Sequence, residues 1–154
     1  MKKILFVALL FITAGGLFFY KNFRPKTEDS SRVLQVGENI IYVAEQKPGS
    51  SVSVDFASMI KEGYVVIYDN DNGRFGKIIG NSKVLPKGES SNISIGLIRP
   101  TINGEFLFAM LHEDNGDGTF SPNIDVPLRD QDGNIMYMFF GVNPNASGSS
   151  IINL

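Results

Sequence analysis

Residues 51–56 read Ser51-Val52-Ser53-Val54-Asp55-Phe56. Polar and apolar side chains alternate with period two, which in a strand makes one solvated face and one buried face. This predicts Val52, Val54 and Phe56 on the buried side. Asn92-Ile93-Ser94-Ile95-Gly96-Leu97 alternates in the same way, and Asn39-Ile40-Ile41-Tyr42-Val43-Ala44 is a further β-rich run. Three other runs, residues 64–68, 106–111 and 135–140, are apolar on both parities. That is the pattern of strands covered on both faces, so the Phe and Met stripes at 106–110 and 136–140 read as core. Residues 75–79 supply a seventh strand, weakened by Gly76.

Turn chemistry separates these runs. Lys47-Pro48-Gly49-Ser50 joins the runs at 39–44 and 51–56, and Pro86-Lys87-Gly88 precedes the strand at Ile93. Asp69-Asn70-Asp71-Asn72-Gly73 and Asp132-Gly133-Asn134 read as hairpin connections. The one helical hint, residues 57–62, is too short to stand alone. About seven short strands with regularly spaced turns predict an all-β fold: an Ig-like antiparallel β-sandwich over residues 38–142. The Cys…Trp…Cys pattern of antibody-type domains is missing, and there is no internal repeat. Residues 143–154, rich in Gly and Ser, are expected to fray.

The 154-residue chain has a different front end. Residues 4–19 are almost continuously apolar, after Lys2 and Lys3 and before Tyr20 and Lys21. As a helix, residues 4–20 would measure roughly 26 Å, at the short end of a bilayer span. The aromatic cluster Phe18-Phe19-Tyr20, followed by Lys21 and Arg24, resembles a membrane–water boundary. Residues 1–20 therefore read as one N-terminal hydrophobic helix, an uncleaved anchor in preference to a cleaved signal peptide. Residues 21–37 are a polar tether. The expected placement is a single-pass cell-membrane protein with its domain on the extracytoplasmic side, or a secreted domain if the leader is cleaved.

Composition excludes several functions. The chain has no Cys, no Trp and a single His. It cannot form a disulfide, a thiolate metal site or a blue-copper centre, which needs two His and a Cys. From Thr27 onward nine Lys and Arg face sixteen Asp and Glu, a net charge of −7. Such a domain is unsuited to nucleic acid, and no basic patch with interleaved aromatics appears. No Gly-x-Ser-x-Gly elbow is present for a serine nucleophile.

One loop carries candidate chemistry. Residues 113–132 hold six acidic side chains and one basic one, Arg129. Hard oxygen donors at this density suit Ca²⁺, which takes about six to eight oxygens. A partial EF-hand template falls on Glu113, Asn115, Asp117 and Gly118, with Asp125 one residue beyond the final ligand position. Glu113, Asn115, Asp117 and Asp125 are thus the candidate metal ligands. The same Asp-Asn-Gly-Asp-Gly stretch is also what a long turn looks like, since Asn and Asp bond their own backbone and Gly accepts positive φ. His112 shares parity with Phe106, Phe108 and Met110; it is expected to cap the end of a buried face with a ring nitrogen hydrogen-bonded. Asp114 and Asp117 are its acidic neighbours.

Residues 63–142 also resemble an uncharacterised domain family of exported archaeal and bacterial proteins. The resemblance rests on Gly63-Tyr64-Val65-Val66-Ile67-Tyr68-Asp69, Ile79-Gly80-Asn81-Ser82, Leu85-Pro86-Lys87-Gly88, Ala109-Met110-Leu111-His112-Glu113-Asp114, Gly118-Thr119-Phe120 and Asp125-Val126-Pro127. Tyr68 stands where the family often has His. With residues 51–56 as the opening strand, it covers about 90 of the 154 residues. The resemblance implies an exported β-rich domain and adds no activity.

Three functional expectations follow. The first is a membrane-tethered extracytoplasmic β-sandwich that is not an enzyme and serves as a binding or structural module. Its partners are the membrane, through residues 4–20, and an extracytoplasmic protein or glycan. The second adds Ca²⁺ in the 113–125 loop, in an adhesion or carbohydrate-binding module. The third is a hydrolase using His112 with Asp114 or Asp117, for which a lone His and scattered carboxylates are a poor inventory.

Overall fold

The structure, a computed structural model, describes residues 39–147. The expected hydrophobic helix, the tether and residues 148–154 lie outside the described residues. Within these bounds the chain forms seven strands: β1 (Ile40–Tyr42), β2 (Ser51–Met59), β3 (Gly63–Asp71), β4 (Arg74–Asn81), β5 (Gly88–Gly96), β6 (Phe106–Glu113) and β7 (Tyr137–Gly141). They make two antiparallel sheets, β1-β2-β5 and β4-β3-β6-β7. The chain changes sheet after β2, after β4 and after β5, while β3–β4 and β6–β7 stay within one sheet.

The core lies where the inner faces meet. Val52, Val54 and Ala57 from β2 and Ile95 from β5 pack with Val65 and Ile67 of β3 and Leu107, Ala109 and Leu111 of β6. Burying each large aliphatic side chain is worth about 1.5–3 kcal/mol, so this cluster supplies the driving force without a metal or disulfide.

Two local readings are corrected. Residues 57–59 are strand, not the start of a helical turn: Ala57, Ser58 and Met59 pair with Ser90, Glu89 and Gly88. Burial of Ala57 and Met59 against the core overrides a weak helical propensity. The alternation that begins at Val52 also changes phase. After Val54 the buried positions are Ala57 and Met59, and Phe56 is half-buried. The change falls beside Asn92 of β5, whose φ is +54°. Both strands shift phase together, so the pairing stays in register from Val54↔Ile93 to Phe56↔Ser91.

The β3–β4 turn is tighter than a five-residue connection, because β3 runs to Asp71 and β4 starts at Arg74. Asn72 and Gly73 both have positive φ, as a two-residue type I′ hairpin requires. The Gly73 amide donates to Asn70 Oδ1 at 2.6 Å.

A buried glutamine ties the two sheets together. Gln46 follows β1 and forms a parallel bridge with Val142, just past β7. Its amide donates to the Gly141 carbonyl at 3.0 Å, and its carbonyl accepts from Asn143 at 2.9 Å. Its side chain donates to the carbonyls of Ala44 and Ser53 and accepts from the Ser53 amide. Every polar group of the residue is thereby paired, as burial demands. Ala146 is buried, so the start of the segment expected to fray, residues 143–146, packs onto the sandwich.

Gly63 opens β3 where backbone meets backbone. A Cβ there would lie 2.1 Å from the His112 carbonyl oxygen and 2.6 Å from Met59 Cε. Gly63→Ala must therefore push β3 away from β6, and we expect a loss of about 2 kcal/mol or more in urea unfolding. A Cβ at Gly96 meets nothing within 4 Å. Gly96→Ala is expected to change stability by less than about 0.5 kcal/mol in the same assay.

Candidate binding face

The outer face of the four-stranded sheet is apolar too. On β6, Leu107, Ala109 and Leu111 belong to the core, which sends Phe106, Phe108, Met110 and His112 outward. Across the ladder Tyr64 faces His112, Val66 faces Met110, and Tyr68 faces Phe108. On the other side Phe139 faces Phe108, and Tyr137 faces Met110.

The connection between β6 and β7 covers one half of this face. Residues 126–128 return alongside the end of β6: Glu113 donates to the Val126 carbonyl, and Leu128 donates to that of Leu111. The loop before them lays Phe120 edge-on against Tyr64 at 5.3 Å and against His112 at 5.6 Å. Tyr64 and His112 are each only 1% exposed as a result.

Asp125 organises this cover. The fully buried carboxylate accepts from the amides of Asn115 at 3.0 Å and Ser121 at 2.6 Å. Its carbonyl accepts from His112 Nδ1 at 2.7 Å. A carbonyl can only accept, so Nδ1 carries the proton and Nε2 takes the Tyr68 hydroxyl proton at 3.0 Å. Burial pulls the His112 ring below the ordinary imidazole range, outweighing the upward pull of the Asp125 carbonyl and charge. Tyr64 donates to Asp114 Oδ1 at 3.0 Å. Its pKa is pushed up to about 12, first by burial, then by that hydrogen bond and the negative charges of Asp114, Asp125 and Asp117.

Three of the four candidate ligands of the acidic loop lie together, Asn115 bonding both Asp117 and Asp125, and Glu113 lies apart. Glu113 ends β6 and pairs with Lys61 at 2.6 Å. Asn115 and Asp117 bond each other at 3.1 Å in both directions, and Asp117 accepts from Thr119 at 2.8 Å. Asp125 turns inward to the loop's own amides. Among the described residues no group of three or more His, Asp and Glu is arranged to hold a metal ion. His112 likewise bonds neither Asp114 nor Asp117, and both of its ring nitrogens are occupied.

The other half of the outer face is open. Phe106, Tyr137 and Phe139 are 50%, 48% and 45% exposed, which corrects their reading as core. Phe108 lies beneath them, within 5.5 Å of Phe75, Tyr137 and Phe139 by ring centroid. Phe106 stacks parallel on Phe139 at 5.1 Å. The rings run from β4 to β7, across the whole sheet. Residues 106–110 and 136–140 contained a usable signal: a strand apolar on both parities has two apolar faces, and a two-layer sandwich covers only one.

A groove of about 650 Å³ borders this aromatic floor, lined by Phe75, Phe108, Ile135 and Tyr137 with Arg74, Arg129 and Asn134. Arg129 is held by a 2.7 Å bond to the Gly133 carbonyl. No carboxylate lines the groove, in a chain segment that is otherwise acidic.

The family model for a domain of unknown function, DUF7282, matches residues 39–140, nearly the whole described sandwich. The chain belongs to the DUF7282 family. The chain also aligns with two curated relatives, cell surface glycoproteins 1 and 2 of Haloarcula hispanica. Each is 29% identical over 103 residues, covering 65% of this chain and 11% of the relative. The chain thus spans about a tenth of the length of the curated relatives it matches. No solved structure matches it.

Two outcomes are expected from this network. Asp125→Ala strips the acceptor from two loop amides and should cost about 2–4 kcal/mol in chemical denaturation, with Asp125→Asn costing less because one acceptor oxygen remains. The second concerns pH. A neutral buried His has its folded pKa below the unfolded value of about 6.5, so the unfolded chain binds the proton first. Stability is then fully present above about pH 6.5 and falls as pH drops toward the folded pKa. Unfolding midpoints of the wild type should fall more steeply between pH 7.5 and 5 than those of His112→Asn, which keeps a donor toward the Asp125 carbonyl but does not titrate.

Proposed function

We propose that this chain is a membrane-tethered, extracytoplasmic DUF7282 module, immunoglobulin-like in strand order, that binds an anionic glycan on its open aromatic face. The carrying observation is the groove beside Phe75, Phe108 and Tyr137, rimmed by Arg74, Arg129 and Asn134 with no carboxylate in its lining. A sugar ring offers an apolar C–H face and a rim of hydroxyls. Aromatic side chains with a few placed polar groups suit that shape. Guanidinium groups bind carboxylate or sulfate in a two-pronged geometry that neutral sugars cannot use. Placement outside the cell is supported by the apolar run at residues 4–20 and by the surface location named for the Haloarcula relatives.

Titration calorimetry of the full chain in detergent micelles tests this reading. A uronic-acid oligosaccharide should bind, and its neutral counterpart should bind at least about tenfold more weakly, a difference of roughly 1.4 kcal/mol. Tyr137→Ala and Arg129→Ala should each weaken binding by a similar factor while leaving the fold intact by circular dichroism. Absence of heat with every saccharide, acidic or neutral, from the folded protein overturns the proposal.

A further inference from the structure

The outer face of the other sheet is unlike the aromatic one. On β2 and β5 it carries Ser53, Ser91 and Ser94, with the half-buried Phe56 opposite Ser91 and the exposed Tyr42 beyond it. In their midst is Asn92-Ile93-Ser94, an Asn-x-Ser stretch whose middle residue is not Pro. That is the acceptor motif for N-linked glycan in exported proteins. Asn92 and Ser94 are both exposed, while Ile93 turns inward. β5 is an edge strand of its sheet. The phase change at Asn92, with its φ of +54°, leaves Ser91 and Asn92 exposed in succession. Asp55, between the paired positions Val54 and Phe56 on β2, turns its Oδ2 to the Ala44 amide at 2.8 Å, away from β5.

We propose that Asn92 is an N-glycosylation site, its substrate an oligosaccharide carried on a polyprenyl phosphate. In the transfer, Asn92 Nδ2 bonds to the anomeric carbon of the first sugar. The bond from that carbon to the lipid phosphate oxygen breaks, the lipid phosphate leaves with the electron pair, and one amide proton is released. Ser94 supplies the hydroxyl that the motif requires two residues on. The inference rests on the extracytoplasmic placement, since an export-coupled modification reaches only a translocated domain. It also orients the module: the glycan stands on the β1-β2-β5 sheet, and the aromatic groove on the opposite sheet remains open.

The test is mass spectrometry of the full chain purified from the envelope of an archaeal host that glycosylates its own surface proteins. Trypsin separates Asn92, in peptide 88–129, from the other such motif, Asn145-Ala146-Ser147, in peptide 130–154. Peptide 88–129 should gain the mass of a glycan. Asn92→Gln and Ser94→Ala should return it to the bare mass, and Ser94→Thr should keep the glycan. Ser94→Ala and Ser94→Thr change an exposed side chain and should melt with the wild type, while Asn92→Gln, at a positive φ that Asn tolerates better, should melt slightly lower and stay folded. Protease treatment of intact cells runs in parallel. A bare peptide from a domain that protease cuts from outside overturns the site while the placement stands. A bare peptide from a protected domain overturns both. A glycan that persists in Asn92→Gln also overturns the site, because the sugar is then attached elsewhere.

Discussion

Strand β6 has no polar side. Seven of its eight residues present Leu107, Ala109 and Leu111 to one face and Phe106, Phe108, Met110 and His112 to the other, and the eighth, Glu113, ends the strand paired with Lys61. Water cannot be kept off both faces of a strand by a two-layer sandwich alone, since the partner sheet lies against only one. The rest of the molecule follows from that constraint. The β1-β2-β5 sheet covers the inner face. The long β6–β7 connection folds back across part of the outer face, and what it does not reach stays open as an aromatic surface.

The cover is held by directional bonds rather than by bulk. The loop has one large apolar side chain in contact with the sheet's Tyr64 and His112, namely Phe120. Leu128 packs against the core at the end of the return, and the rest is polar: the Asp125 carboxylate on two amides, its carbonyl on His112, and Tyr64 on Asp114. Removed from water, these bonds are strengthened and any unpaired member becomes costly. These acidic residues thus serve as acceptors for the loop's own backbone. Asp114 and Asp117 accept from amides four and two residues on, and Asp125 accepts from Ser121 four residues back and from Asn115 across the loop.

The seven strands were legible because each is short, bounded by Gly, Pro, Asn or Asp, and marked by period two or by a dense apolar run. Two things were not. The phase change at Asp55 and Asn92 depends on a paired shift in strands far apart in sequence, and local alternation carries no trace of it. Phe106, Tyr137 and Phe139 read as core because burial was inferred from apolarity, whereas apolarity states only what a side chain can tolerate. In the candidate site, the sequence placed His112 on a buried face with a bonded ring nitrogen. It could not reveal that Tyr68 would be its second partner, because register between β3 and β6 decides that. Arg74 and Arg129, 55 positions apart, come together only through the β4 and β6–β7 geometry.

The bridge at Gln46 has a mechanical consequence. The segment after β1 and the segment after β7 run side by side in the same direction, joined by the bonds from Gln46 to Gly141 and from Asn143 to Gln46. Tension applied between the two ends of the domain therefore loads these bonds in shear, all at once, instead of peeling them apart singly. On the amino-terminal side this bridge stands behind the β1–β2 pairing, and a fully satisfied buried glutamine sits at its centre.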